Sequence, residues 1–143
     1  MKKLLTTHSP EETEAAGEAL AKTLLPGDVL ALTGGLGAGK TAFVRGLARG
    51  LKVAGHVASP TYALVHEYPG SPPLIHFDMY RVRGPGELES TGYFDYLDGG
   101  GVLAIEWSEN IAGDLPDGAV YVDIAPGGDA RSRAITITRG ERA

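Results

Sequence analysis

The chain has 143 residues, of which 43% are hydrophobic, with a formal net charge of −5 and an isoelectric point near 5.3. That balance is ordinary for one globular domain and argues against tight, unaided nucleic-acid binding, which relies on clustered cations neutralising phosphates. The absence of cysteine excludes disulfides, thiolate catalysis and cysteine-ligated metals, no segment is long and apolar enough to span a membrane, and the first residues lack an apolar run of signal-peptide length, so a cytoplasmic location is expected.

Leu4-Leu5-Thr6-Thr7 is expected as a short first strand. Ser9-Pro10-Glu11-Glu12 then starts a helix: Ser9 caps, Pro10 suits the first helical position, and Glu12 completes a capping box. Ala16, Leu20 and Leu24 recur at i+4 as the buried stripe of that helix, which Pro26-Gly27 ends. The apolar run Val29-Leu30-Ala31-Leu32 reads as a buried strand. A helix follows Thr41, with Phe43, Val44 and Leu47 on one face and Gly50 as its stop.

Between that strand and helix lies Gly34-Gly35-Leu36-Gly37-Ala38-Gly39-Lys40-Thr41, which fits G-x-x-x-x-G-K-[ST] at every fixed position. In this pattern backbone N–H groups wrap the phosphates of a nucleotide, the lysine reaches the terminal phosphates, and the hydroxyl sits on Mg²⁺. Glycine lets the chain come close to the ligand, and the helix N-terminus attracts anions. A dinucleotide fingerprint fits poorly. G-x-G-x-x-G started at Gly35 meets Lys40 where glycine is needed, and no acidic residue lies between positions 50 and 66 to meet a ribose.

Further along, Pro60 disfavours the helical region for Ser59, and 62–68 reads as a strand. The loop Pro69-Gly70-Ser71-Pro72-Pro73 joins it to a second strand over 74–80, as a hairpin with a long connection. Ile75, Phe77 and Met79 share one side of that strand, and His76, Asp78 and Tyr80 the other. A short helix is expected over 85–90. Val102-Leu103-Ala104-Ile105 is another buried strand, ending at Glu106-Trp107. Segments 119–125 and 134–139 read as a final hairpin around Pro126-Gly127-Gly128. The pattern is α/β, with a partly parallel core and antiparallel additions.

A phosphate loop needs hard oxygen ligands for Mg²⁺, and the usual second supplier is an acid at the end of a buried strand. Glu106 occupies such a position; the alternative is a solvated strand end. Asp78 would either bind the metal through water or orient the attacking water, against a solvated face on which it pairs with His76. His76 and Asp78 alone make a weak metal pair, and His8, His56 and His66 read as ordinary. Ser59-Pro60-Thr61 either senses a γ-phosphate as switch loops do or makes local backbone bonds at a loop-to-strand junction. Trp107 is expected on the strand face opposite Glu106, with core packing as its default role.

Taken in order, Gly37-Ala38-Gly39-Lys40-Thr41, Ser59-Pro60-Thr61-Tyr62, His76-Phe77-Asp78-Met79-Tyr80-Arg81 and Ile105-Glu106-Trp107, with Ser9-Pro10-Glu11-Glu12-Thr13 before them, make a chain that resembles the TsaE (also called YjeE) family. These are small bacterial ATPases of tRNA threonylcarbamoyladenosine synthesis. The chain departs from the family pattern at Gly35, where many members carry an acid or amide, and at Tyr62, where phenylalanine is common.

The resemblance implies a single P-loop NTPase-like domain over residues 1–143, α/β in class, with a mixed central sheet flanked by helices. It implies a Mg²⁺-dependent ATPase, weak alone, holding ATP through Gly35, Leu36, Gly37, Ala38, Gly39, Lys40 and Thr41. Thr61 would belong to a switch-like segment, Thr41 and Glu106 would bind Mg²⁺, and Asp78 with Lys40 would aid hydrolysis. Ser9 and Arg131 are expected on the base and ribose side, where the family uses its two chain ends. The implied partners are the synthase subunits TsaD and TsaB, with tRNA met only through the complex. Hydrolysis would reset the synthase between turnovers, in modification of the adenosine next to the anticodon of ANN-decoding tRNAs, without this chain transferring the threonylcarbamoyl group itself. A small-molecule P-loop kinase and a nucleotide-regulated binding module stand as alternatives. The kinase reading lacks a basic lid, since no arginine or lysine lies between positions 84 and 118.

Overall fold

A computed structural model describes residues 2–34, 39–55 and 65–139. In chain order they form β1 (Lys2–Thr7), α1 (Pro10–Ala21), β2 (Val29–Thr33), α2 (Lys40–Leu51), β3 (Val65–Tyr68), β4 (Leu74–Asp78), α3 (Pro85–Ser90), α4 (Tyr93–Leu97), β5 (Val102–Glu106), a 3₁₀ segment (Ser108–Asp114), β6 (Val120–Pro126) and β7 (Arg133–Arg139). The strands make a seven-stranded sheet in the order β1-β7-β6-β2-β5-β4-β3. β6, β2, β5 and β4 run parallel at its centre. β7, β1 and β3 add antiparallel edges, so the sheet is mixed, as expected.

Both faces of the sheet are covered. Leu30 and Leu32 of β2, Val102 and Ala104 of β5 and Leu74 of β4 pack with Leu20, Phe43, Val44 and Leu47 of α1 and α2. Val29, Ile75, Phe77, Leu103 and Ile105 pack on the other face with Leu88, Tyr93 and Ile111. Burial on both faces is why β2 and β5 read as continuous apolar runs instead of alternating. β6 does alternate, with buried Val120, Val122 and Ile124.

α1 opens as its sequence predicts. Ser9 is extended, and its hydroxyl accepts from the Glu12 N–H at 3.1 Å. Glu12 reaches back to the backbone N–H of His8 at 2.8 Å, one residue before the cap. The helix stops at Ala21, short of Pro26-Gly27.

Three expectations give way to tertiary contacts. Gly50 does not stop α2, which runs to Leu51 and closes on Lys52 with φ of 60°. Gly50 instead admits α1: a Cβ there would lie 2.6 Å from the Ala21 Cβ and 2.7 Å from the Glu18 carbonyl oxygen. β4 ends at Asp78, whose Oδ1 accepts from the Tyr80 N–H at 2.9 Å and turns the chain. The face of β4 carrying His76 is not a solvated one, because His76 is fully buried there. α4 and the 3₁₀ segment follow no periodicity noted in the sequence.

Candidate functional site

The site is assembled at the C-terminal ends of the parallel strands. β2 ends at Thr33, and α2 starts at Lys40 after Gly39, whose φ of 105° suits only glycine. Among the described residues a Cβ there would meet nothing nearer than the Thr13 Cγ2 at 3.6 Å, so the backbone angle is what calls for glycine. Lys40 is buried, and its Nζ has no hydrogen-bond partner among the described residues. It rests 4.4 Å from the centroid of the Trp107 ring. A ring face attracts a cation but satisfies none of its three N–H donors. Thr41 is the next residue of α2 and is half-buried.

Glu106 closes β5, with Leu32 of β2 on one side in register and Asp78 of β4 on the other. It is only 6% exposed, and its Oε2 lies 2.6 Å from the His76 Nε2. His76 therefore pairs with Glu106 across the strands, and not with Asp78 along its own strand. Trp107 leaves the strand in the left-handed region, with φ of 57°, yet its half-buried side chain packs against the cluster of Leu103 and Ile105, on the side of the sheet away from Val102 and Ala104, as expected. Its ring lies against that of Tyr80, tilted by 58° with the centroids 4.8 Å apart. The Ser108 hydroxyl donates to the Leu32 carbonyl at 3.1 Å, and the Asn110 amide donates to Met79 and Tyr80 carbonyls at 2.9 and 3.2 Å. The 3₁₀ segment thereby ties the turns after β4 and β5 to the end of β2.

Behind Gly39 lies a cavity of about 540 Å³, lined by Ser9, Glu11, Thr13, Gly39, Ala42 and Arg131 among others. Ser9 and Arg131, far apart in sequence, thus face one space. The turn carrying Arg131 is organised by Asp129, whose Oδ1 accepts from the N–H groups of Arg131 and Ser132, each at 2.9 Å. Those backbone donors, that of Arg131 foremost, hold the Asp129 carboxyl below the usual carboxylate range. Gly35, Leu36, Gly37, Ala38 and Thr61 lie outside the described residues.

Two side-chain pairs between strands of the sheet escaped the sequence reading. One is the His76–Glu106 pair; the other is the Thr33 hydroxyl donating to Asp123 at 2.7 Å. Both cross between strands, and the strand order that creates them has no local signal.

The family model described as threonylcarbamoyl adenosine biosynthesis protein TsaE matches residues 7–135. The chain belongs to the TsaE family. A TsaE-family relative from Bacillus subtilis, named tRNA threonylcarbamoyladenosine biosynthesis protein TsaE, is 43% identical over 133 residues, covering 92% of this chain and 82% of that protein. One of the same name from Haemophilus influenzae is 40% identical over 136 residues, covering 90% and 86%. The crystal structure of Bacillus subtilis YdiB superposes with a TM-score of 0.82 at 37% identity, covering 99% of this chain and 87% of that one.

Within this TsaE-family fold, the donors present suit a nucleotide with a hard cation. A buried ammonium without a partner calls for an anion. Among the described residues no three histidine, aspartate or glutamate side chains converge as a metal cage. A magnesium ion does not need one: it is commonly held by one or two carboxylates, substrate phosphates and water. Glu106 ends β5 and Thr41 lies in the first turn of α2, and both carry oxygen donors of the hard kind such an ion takes.

Proposed function

We propose that this chain is a Mg²⁺-dependent ATPase, an accessory subunit of the tRNA threonylcarbamoyladenosine synthase that works with TsaD and TsaB on the adenosine next to the anticodon of ANN-decoding tRNAs. Membership of the TsaE family supports the pathway. The observation that carries the nucleotide site is the Lys40 ammonium, buried at the start of α2 without a hydrogen-bond partner among the described residues.

In this reading residues 1–143 are one P-loop ATPase domain acting in the cytoplasm. Residues 35–41 hold the phosphates, and the cavity of Ser9 and Arg131 takes base and ribose. Lys40 exchanges the Trp107 ring for β- and γ-phosphate oxygens, a stronger, charge-assisted partner. Thr41 and Glu106 hold Mg²⁺, which when bound neutralises the charge that develops on the phosphates. Asp78, fixed through one oxygen by the Tyr80 N–H, orients the attacking water with the other. Thr61 senses the γ-phosphate. Phosphoryl transfer depends on positioning and electrostatics, so a site lacking one element turns over slowly, and TsaD and TsaB would complete it. The acidic balance of the chain, −5 overall, suits docking to a basic complex that holds tRNA.

The test is phosphate release from Mg-ATP, for the chain alone and with purified TsaD and TsaB. Slow hydrolysis that rises with the partners is expected. Bound nucleotide with no response to the partners would favour a binding module, phosphate transferred to an added acceptor would favour a kinase, and no binding of Mg-ATP at all would overturn the reading.

A further inference from the structure

We infer that His76 is a positioning residue for Glu106, setting the direction in which that carboxylate presents its free oxygen to a divalent cation. The inference rests on the reading of Glu106 as a metal ligand and deepens it. His76 is 0% exposed and Glu106 6%. A carboxylate this buried is costly unless hydrogen-bonded, and its one hydrogen bond among the described residues is to the His76 Nε2, at 2.6 Å. Asp78 stands directly beside Glu106 in the β4–β5 register but makes no hydrogen bond to it; Asp78 turns its Oδ1 to the Tyr80 N–H. The residue that holds Glu106 is therefore the diagonal neighbour, two positions upstream.

With Glu106 taken as the carboxylate that a metal ligand must be, the hydrogen bonds select one tautomer. An ionised Glu106 only accepts, so Nε2 carries the proton. Nδ1 is buried with no partner among the described residues. As a bare lone pair it leaves no orphaned donor, whereas a proton there would be a buried N–H with nothing to bond. The ring is fully buried and engages Oε2, and Oε1 has no hydrogen bond among the described residues. Groups that hydrogen-bond a ligating carboxylate act on the metal through it, and their loss typically weakens metal binding about 10–100-fold.

The test compares the parent protein with His76→Leu, His76→Gln and Glu106→Ala, titrating Mg²⁺ into protein and ATP by calorimetry and measuring ATP affinity with metal removed. His76→Leu keeps the volume but no donor, and should raise the Mg²⁺ midpoint about 10–100-fold while leaving metal-free ATP affinity unchanged. The Gln amide can donate from about the place of Nε2, so His76→Gln should return the midpoint close to the parent value. An independent readout needs neither metal nor nucleotide: long-range ¹H–¹⁵N spectra should show His76 protonated at Nε2 and bare at Nδ1. If His76→Leu does not fold, the Gln variant and these spectra decide. A His76→Leu midpoint equal to that of the parent, a Gln variant as impaired as the Leu one, or the opposite tautomer would each overturn the positioning role. If Glu106→Ala abolishes metal dependence while His76→Leu leaves it intact, only the positioning role falls. If ATP binding by the parent ignores Mg²⁺, the role of Glu106 falls with it.

Discussion

Replacing Gly46 with alanine tests whether the distance between α1 and α2 is set by backbone contact. The two helices touch through Gly17, Gly46 and Gly50. A Cβ on Gly46 would stand 2.5 Å from the Glu14 carbonyl carbon and 2.8 Å from its Cα. The Glu14 carbonyl oxygen would be nearer still; these are backbone atoms of α1, so no rotamer change relieves the overlap, and α1 must retreat by about 1.5 Å to restore ordinary contact. Overpacking of this kind costs about 1–3 kcal/mol, and withdrawing a whole helix face lies at the upper end. Alanine in a helix interior recovers about 1 kcal/mol. The expected net loss is about 2 kcal/mol, or about 5 °C in melting temperature for a chain of this size. The Arg49 bridges to Glu14 and Glu18 do not change the sign, because they are exposed and contribute little. Gly86 is the control, a glycine in α3 whose added Cβ would meet nothing within 4 Å among the described residues; there the same substitution should stabilise by about 0.5 kcal/mol. Urea unfolding followed by circular dichroism and by the single tryptophan measures both. A Gly46→Ala protein as stable as the parent would refute the contact argument. Because Ser9 precedes α1 and lines the cavity with Gly39 and Ala42, the retreat should also weaken nucleotide binding.

Other expectations follow from the same geometry. Lys40→Ala should mainly weaken nucleotide binding and Glu106→Ala mainly remove its metal dependence, by titration with and without Mg²⁺; identical losses in both would contradict separate roles. Gly39→Ala forces a side chain to φ of 105°, so it should cost about 1–2 kcal/mol of stability in denaturant unfolding. The Tyr93 phenol, fully buried and donating to the Asp114 carbonyl at 2.9 Å, is pushed by burial from 10.0 to about 12. The folded chain thus keeps a proton that the unfolded chain releases, and stability should fall as pH rises from about 10 to about 12. In Tyr93→Phe that alkaline slope should flatten, as measured by unfolding across the range.

Much of the fold was legible because its signals are local. The capping box at Ser9, the apolar runs of β2 and β5 and the exact bounds of α3 each follow from residues within a few positions. Gly50 misled because a glycine near a helix end looks the same whether it stops the helix or admits a neighbour. β4 looked two residues longer than it is, since the Asp78 side chain that turns the chain competes with the strand only once β5 has ended beside it. The alternation of β5 placed Trp107 on the side of Leu103 and Ile105, where it packs, but gave no sign of its left-handed backbone.

The sequence by itself determined the family, the phosphate-loop pattern and the alternation that sets His76 and Asp78 on one face, all properties of neighbours along the chain. The tertiary structure alone decided that His76 holds Glu106, that Lys40 lies over Trp107, and that Ser9 and Arg131 share a cavity. Each of these joins residues from separate elements, and their meeting depends on the strand order β6-β2-β5-β4 and the close approach of α1 to α2. That order comes from burying both faces of one sheet at once, a condition on the whole chain that no short window carries.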